Sequence, residues 1–246
     1  MQQLYLQFKS PDQFPYQNYM FNQMKQEPCF ISKQGVLFEE DCLPLLKQIN
    51  NSVADVVFAD PPFNLGKKYG KKHDDSLEDS EYLNWCYTWL DECCRILKDG
   101  GSLFIYNLPK WNMLLGSYLM NKGLTFRHWI TISQKSSLPI PGRLYPSHYS
   151  LLYYTKGKPK VFRKIRTPIE TCRHCGGEIK DYGGHRHAMN PLGVNLTDVW
   201  TDIPHCDVII ERLTEGNLHY HKNNDSVNQF LLLFFRNFLI NKNFNC

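Results

Sequence analysis

Four consecutive residues carry the clearest chemistry in the sequence. Asp60, Pro61, Pro62 and Phe63 follow the apolar run Val56 to Ala59, which predicts a buried parallel strand ending at an acid. The two prolines have no backbone N–H and fix φ, so the turn offers carbonyl acceptors without competing donors. In open α/β sheets, ligands bind at the carboxyl ends of the strands. We therefore expect a stiff, acceptor-rich turn at a ligand-binding edge.

Such a turn suits a planar substrate that carries an exocyclic amine. The Asp60 carboxylate and the Pro61 carbonyl can accept the N–H bonds of the amine while Phe63 stacks on the ring. The same four residues are equally consistent with a turn that only ends a strand, because an Asp-Pro pair favours chain reversal. The neighbouring segments must decide between the two interpretations.

The Asp-Pro-Pro-Phe run resembles the catalytic motif of the DNA amino-methyltransferases, which use S-adenosylmethionine to methylate the exocyclic nitrogen of adenine or cytosine. Three later stretches fall in that family's order: Asp99 to Tyr106, Asn107 to Trp111, and Ser147 to Lys156. The order is that of the circularly permuted β class, in which the catalytic half precedes the recognition region and the cofactor-binding half comes last. The resemblance implies that Asp60, Pro61, Pro62 and Phe63 are catalytic and that Asp60 also contacts the cofactor. It further implies a base flipped out of double-stranded DNA, with adenine N6 favoured because an Asp precedes the prolines.

Strand and helix patterns alternate along the middle of the chain. The predicted elements are a helix over Ser80 to Lys98 stopped by Gly100 and Gly101, a strand over Ser102 to Tyr106, a helix opening at Pro109, and strands over Leu124 to Ser133 and Ser147 to Thr155. The last two strands have no helix between them and predict an antiparallel hairpin at the sheet edge. The predicted fold class is α/β: a Rossmann-like methyltransferase sheet of parallel strands with an antiparallel edge hairpin, incomplete, plus a recognition insert.

The predicted domain organisation has four parts. They are an irregular N-terminal arm (1–34), the catalytic half of a methyltransferase domain (35–157), a basic, Gly-rich target-recognition insert (158–200) and an atypical C-terminal tail (201–246). In the second part, Asp41 ends a short predicted strand. The resemblance implies that this acid lies near the adenosine end of the cofactor, while an N-cap role at the start of the following helix is an equally good explanation. The two roles are compatible.

Lysines and arginines cluster where they could meet DNA phosphates. The segment Gly66 to Lys72 after the motif carries two glycines and four lysines, which fit a phosphate clamp closing over an extruded base or, alternatively, a solvated surface loop. Segment 158–166 is a second cluster, for which a solvated linker is the alternative. The link 134–146 corresponds, by resemblance, to a segment that helps to hold the flipped base. The candidate DNA-binding residues are Lys67, Lys68, Lys71, Lys72, Lys135, Arg143, Arg163 and Lys164.

The nine cysteines are scattered, and their odd number argues for reduced thiols rather than a disulfide framework. Cys172 and Cys175 have the knuckle spacing that can hold a structural zinc ion. One pair is only half of a zinc site, so a reduced pair in a loop is the favoured alternative. Further ligands would have to come from His185, His187, His205 or Cys206.

Composition narrows the class of protein. With 246 residues and 42% hydrophobic content, the chain can bury one core, or one core with an inserted lobe. No apolar stretch reaches membrane-spanning length and the start lacks the apolar core of a signal peptide, so we expect a cytoplasmic protein without a membrane partner. The net charge of +4 is compatible with a polyanionic partner but does not require one.

The family pattern stops after residue 204. Gly216 is the only glycine after Gly193, so we expect the Gly-rich cofactor turn and the sheet neighbour of the catalytic strand to be missing. One hypothesis is a truncated or frameshifted methyltransferase that is inactive alone, and another is that a second chain supplies the cofactor-binding half. A non-catalytic DNA-binding remnant, or a methyltransferase acting on RNA or protein, is the alternative function.

Overall fold

A computed structural model of the chain describes part of its 246 residues. The described residues are 14–21, 27–31, 35–38, 41–66, 68–69, 73–74, 76–134, 141–142, 144–169, 171–172, 174–178, 183–201 and 231–234. The side chains of residues 68–69, 73–74, 186 and 231–234 lie outside the description.

Three α-helices lie within the described residues: α1 (Cys42–Leu46), α2 (Asp79–Ile96) and α3 (Pro109–Asn121). Asp41 caps α1, because its carboxylate accepts a hydrogen bond from the Leu43 N–H at 3.0 Å. Pro109 occupies the first turn of α3, where a missing N–H costs nothing. Short 3-10 turns form at Tyr16–Tyr19 and Arg186–Ala188.

Twelve strands lie within the same residues. They are β1 (Phe30–Ile31), β2 (Val36–Leu37), β3 (Ala54–Ala59), β4 (Lys68–Tyr69), β5 (His73–Asp74), β6 (Leu97–Asn107), β7 (Thr125–Ser133), β8 (His148–Thr155), β9 (Arg166–Thr167), β10 (Val194–Asn195), β11 (Val199–Trp200) and β12 (Leu231–Phe234).

Six of these strands form the central sheet, in the order β11-β7-β8-β6-β3-β12. The pairs of β8 with β7 and with β6 are antiparallel, and the other pairs are parallel. The predicted α/β fold and the predicted antiparallel hairpin are therefore confirmed. The hairpin is not the outermost element, because β11 adds to β7 by parallel pairing. This two-residue strand comes from the end of the predicted recognition insert.

The prediction that β3 lacks a sheet neighbour is wrong. Leu231 to Phe234 pair with Val56 to Ala59 in parallel register, so β12 lies beside the strand that leads to Asp60. The physical reason is visible in the sequence: an unbroken apolar run without alternation is typical of a parallel strand buried on both faces. Backbone groups along that side of β3 are thereby paired rather than left as an open edge.

The end of α2 also differs from the prediction. The helix ends at Ile96, and Leu97 already has extended backbone and pairs with Ala54 as the first residue of β6. Gly100 and Gly101 do not stop the helix but lie inside β6, where its register against β3 shifts. Gly100 has a φ of +78°, a conformation that glycine adopts without strain.

Helices α1, α2 and α3 cover one face of the sheet, where alternate strand residues such as Val57 and Leu103 join the larger hydrophobic core. The intervening residues point to the other face, where Phe58, Phe104 and Tyr153 form a second core with Trp200. Because side chains alternate between the two faces of a strand, one register serves both cores. Within the described residues, no helix combines the length and apolarity that a membrane span requires.

Candidate active site

The Asp60 carboxylate lies at the carboxyl end of β3, at the edge predicted for a ligand. Only 6% of Asp60 is exposed, and Pro61 and Phe63 are also buried. The two sheet neighbours of β3 run parallel to it, so their carboxyl ends meet at the same edge. A carboxylate that is held buried at the ligand-binding edge of a sheet is a candidate functional group.

Two carbonyls of the motif are held from the helix layer. The Tyr82 hydroxyl in the first turn of α2 donates to the Pro62 carbonyl at 2.5 Å, and the Trp111 indole N–H on α3 donates to the Phe63 carbonyl at 2.8 Å. The Pro61 carbonyl makes no hydrogen bond within the described part of the chain. The turn therefore keeps the acceptor next to Asp60 available for a ligand.

The motif is also fixed where it ends. Asn64 has a φ of +55°, and its side-chain amide donates to the Leu77 carbonyl at 2.8 Å while accepting from the Leu77 N–H at 2.7 Å. Asn tolerates the left-handed conformation better than most residues. The paired bonds join the end of the turn to the segment that leads into α2.

The Phe63 ring is packed among other rings. It is 1% exposed, and its centroid lies 5.8 Å from that of Tyr106 and 5.3 Å from that of Tyr149. These distances are typical of aromatic contacts in cores. Stacking of Phe63 on a base stays a prediction, which requires a rearrangement of the rings around it.

Asp41 is exposed and caps α1, so the local explanation of this acid is confirmed. Its predicted cofactor contact stays a prediction. A carboxylate has two oxygens, and capping through Oδ1 leaves the role of Oδ2 open.

The predicted DNA-binding residues are described only in part. Lys67, Lys71, Lys72, Lys135 and Arg143 lie outside the described residues, and of Lys68 only the backbone is described, in β4. The backbone of β4 within the predicted basic loop pairs in antiparallel register with that of β5, which follows the loop.

Arg163 and Lys164 line a cavity of about 520 Å³ on the sheet face away from the helices. Its walls include Phe104, Tyr153 and Trp200 of the second core. The strand residues in these walls extend from Val56 on β3 and Ser102 on β6 to Ile130 on β7 and Trp200 on β11. Asp60, Pro61, Pro62 and Phe63 are not among the described residues that line this cavity.

Cys172 and Cys175 lie in a tight turn. The Cys172 N–H donates to the Gly177 carbonyl at 2.7 Å, and the Gly176 N–H donates to the Cys172 carbonyl at 2.8 Å. Backbone N–H groups of Cys175 and His174 lower the pKa of the Cys172 thiol. Within the described residues, no group of three or more His, Cys, Asp or Glu side chains could hold a metal, so structural zinc is not supported. His205 and Cys206 lie outside the described residues.

Two cysteines of the hydrophobic core, Cys86 and Cys93, are poor nucleophiles. Burial raises the pKa of the Cys86 thiol to about 12 and that of Cys93 well above its usual value. Both are buried in the larger core, where a cysteine acts as a small hydrophobic residue.

Comparison with known proteins identifies the family. The family model for DNA methylase, which covers enzymes acting on N6 and N4 amines, matches residues 54–238, more than half of the chain. The chain belongs to the N6/N4 DNA methylase family. The matched region runs from the start of β3 past the end of β12. It therefore includes β3, which leads to Asp60, and both sheet neighbours of β3, which are β6 and β12.

The chain is similar to the Type II methyltransferase M.BamHI of Bacillus amyloliquefaciens, with 56% identity over 185 residues, which are 74% of this chain and 44% of that protein. The chain thus spans less than half the length of this curated relative. Among solved structures, PvuII DNA methyltransferase (cytosine-N4-specific) covers 56% of this chain and 55% of its own, with 20% identity and a TM-score of 0.47. TTHA0409 of Thermus thermophilus, described as a DNA modification methylase, was solved in complex with S-adenosyl-L-methionine. The match covers 71% of this chain and 72% of that one, with 17% identity and a TM-score of 0.43.

Three residues in the hydrogen-bond network that holds the motif were not predicted from the sequence. Tyr82, Asn107 and Trp111 are all buried, at 2%, 0% and 2% exposure. Tyr and Trp carry one polar atom on an apolar ring, and a buried polar atom needs a partner. The sequence therefore indicates that the polar atoms of a buried Tyr or Trp need hydrogen-bond partners, but it does not indicate which carbonyl each atom binds.

Proposed function

We propose that this chain methylates an exocyclic amine of a base in DNA, with S-adenosylmethionine as the methyl donor. The observation that carries the proposal is the buried Asp60 carboxylate beside the available Pro61 carbonyl, in a chain of the DNA methylase family. An aromatic amine presents two N–H donors, and these two acceptors match them.

The chain's own contribution is to orient the amine. The nitrogen lone pair of an aromatic amine is delocalised into the ring, which makes the nitrogen a poor nucleophile. Two acceptors that fix both N–H bonds favour a geometry in which the lone pair points at an electrophile. S-adenosylmethionine supplies the methyl group and leaves as a neutral thioether. The amine gains the methyl carbon and loses one proton, for which Asp60 is the proposed acceptor.

The proposed contacts with the cofactor, the DNA phosphates and the target base rest on the sequence resemblance. Asp41 is the proposed contact at the adenosine end of the cofactor, and Arg163 and Lys164 are proposed phosphate contacts within the recognition segment. We propose that the target base is flipped out of the duplex, because an enzyme cannot reach an amine inside the base stack. Adenine N6 is the predicted target on the basis of Asp60, and cytosine N4 is the alternative amine.

The test is nucleoside mass spectrometry after incubation with S-adenosylmethionine carrying a deuterated methyl group. Unmethylated genomic DNA, total RNA and a mixed protein extract are offered in parallel. We expect label in N6-methyladenine or N4-methylcytosine from DNA alone, and the mass of the nucleoside identifies the target amine. Label that enters RNA or protein but not DNA contradicts the proposal.

A further inference from the structure

Two buried side chains from different helices reach consecutive carbonyls of the catalytic turn. Tyr82 on α2 bonds to the Pro62 carbonyl, and Trp111 on α3 bonds to the Phe63 carbonyl. Their rings are in contact, with centroids 4.6 Å apart, so they form one unit beneath the turn. Nothing in the proposed chemistry assigns a role to either residue.

The hydroxyl of Tyr82 has a fixed direction. The Asn107 side chain accepts from the Leu108 N–H at 2.7 Å through its oxygen, so its amide nitrogen faces Tyr82 and donates to the phenol oxygen at 3.0 Å. A phenol has a single hydrogen, and an oxygen that accepts from Asn107 directs that hydrogen at Pro62. The two hydrogen bonds therefore run in one direction: Asn107 donates to Tyr82, and Tyr82 donates to the Pro62 carbonyl. Both donor residues are buried.

The two bonds remove the last backbone freedom of the turn. Proline rings fix φ at positions 61 and 62, and Pro62 also restricts ψ at position 61, while ψ at position 62 stays free to turn its carbonyl. Tyr82 and Trp111 fix the carbonyls of positions 62 and 63, and the Asn64–Leu77 pair fixes the exit. The Pro61 carbonyl, one residue after Asp60 in the sequence, therefore lies in a turn that is held on its C-terminal side.

We infer that Tyr82 and Trp111 are positioning residues for amine methylation: they hold the Pro62 and Phe63 carbonyls in the helix layer and so leave the Pro61 carbonyl as the backbone acceptor for the target amine. The inference rests on the proposed function. Without the two donors, the Pro62 carbonyl is free to rotate toward the site and compete for the amine, and the near-attack geometry is lost.

The kinetic test uses Tyr82→Phe and Trp111→Phe, which remove one donor each and keep an aromatic ring. Because misplacement of a reacting group by about 1 Å costs on the order of 100-fold in rate, we expect kcat to fall roughly 10- to 100-fold. The KM for S-adenosylmethionine and the affinity for DNA stay within about twofold, since neither donor contacts a ligand in this scheme.

Matched controls separate positioning from general loss of structure. Tyr118→Phe removes a phenol that donates to Asp91 at 2.8 Å, and Trp85→Phe alters a ring 5.8 Å from that of Tyr82. We expect both controls to keep the wild-type kcat. Equal losses of kcat in controls and test variants overturn the positioning role.

A spectroscopic readout is independent of activity. Pro62-Phe63 is the only Pro-Phe pair in the sequence, so labelling of proline carbonyl carbon and phenylalanine nitrogen gives one cross-peak that reports the Pro62 carbonyl. Tyr82→Phe should move its carbonyl resonance upfield, because the carbonyl loses a hydrogen bond, and Tyr118→Phe should not. An unmoved peak overturns the bond to Tyr82 whatever the activity.

The outcomes distinguish this inference from the proposed function. A moved peak with unchanged kcat overturns the positioning role and leaves the proposed function intact. A wild-type chain that methylates no DNA overturns the proposed function, and the positioning role falls with it even if the peak moves as expected.

Discussion

Replacing Gly116 by Ala tests how tightly the helix layer fits the sheet behind the active site. A Cβ at position 116 would lie 2.9 Å from the Tyr154 hydroxyl and 3.5 Å from Leu152 Cδ1. The Tyr154 hydroxyl also donates to the Gly116 carbonyl at 3.0 Å, and Tyr154 is 2% exposed. The new methyl group therefore meets a buried hydroxyl that has little room to move.

The change in the free energy of unfolding on Gly116→Ala is the sum of two opposing effects. Ala is favoured over Gly in a helix by about 1 kcal/mol. Overpacking of a tight core costs about 1 to 3 kcal/mol, so Gly116→Ala should lower the free energy of unfolding by about 1 kcal/mol. In a Tyr154→Phe background the obstructing oxygen is gone, and the same change should raise the free energy of unfolding by up to about 1 kcal/mol.

The assay is a double-mutant cycle by urea unfolding, followed by far-UV circular dichroism. Tyr154→Phe alone should cost about 0.5 to 1.5 kcal/mol, the usual contribution of one hydrogen bond. We expect the effect of Gly116→Ala to change sign between the two backgrounds, with an interaction energy of about 2 kcal/mol. An identical effect of Gly116→Ala in both backgrounds would refute the reasoning.

Three further predictions concern single side chains. Because burial raises the pKa of Cys93 while backbone N–H groups lower that of Cys172, a pulse of iodoacetamide at about pH 7 should label Cys172 and leave Cys93 unlabelled until the protein unfolds, as read by peptide mass spectrometry. Arg95→Lys should lower the free energy of unfolding by about 1 to 3 kcal/mol, because lysine cannot reproduce the guanidinium bonds at 2.7 Å to the Ile49 carbonyl and at 2.8 Å to the Leu46 carbonyl; a thermal melt that shows no change contradicts this. Asn64→Gly should destabilise the protein less than Asn64→Ala, since glycine accepts the φ of +55° whereas alanine does not, and urea midpoints rank the two.

The sequence predicts those parts of the fold that depend on residues close together along the chain. The unbroken apolar run ending at Asp60 predicts β3 and its buried carboxylate, and Asp41 predicts the start of α1 as an N-cap. The antiparallel hairpin follows from two β-rich runs without a helix between them.

The parts that sequence could not predict depend on distant contacts. Residues 231–234 pair with a strand about 175 positions earlier in the chain, and an apolar run alone does not name its partner. In the same way, Tyr82 and Trp111 lie 20 and 48 positions from the carbonyls that they bind, so their roles appear only once the helices are docked on the sheet. Lys164 has the charge that a phosphate contact needs, yet its place in the wall of a cavity beside Phe104 and Trp200 is a property of the fold.

The most direct test of the account is the rate of methyl transfer to DNA when the Asp60 carboxylate is removed. Asp60→Ala is compared with Asp99→Ala, which removes a 95% exposed carboxylate near the opposite end of β6. DNA affinity and urea midpoints are measured alongside, and Asp60→Asn serves as a variant of unchanged shape. Loss of a group that orients the reacting atoms should slow transfer by roughly 100- to 1,000-fold in Asp60→Ala, with Asp99→Ala unchanged. Methylation of DNA by a folded Asp60→Ala variant at the wild-type rate would contradict the account.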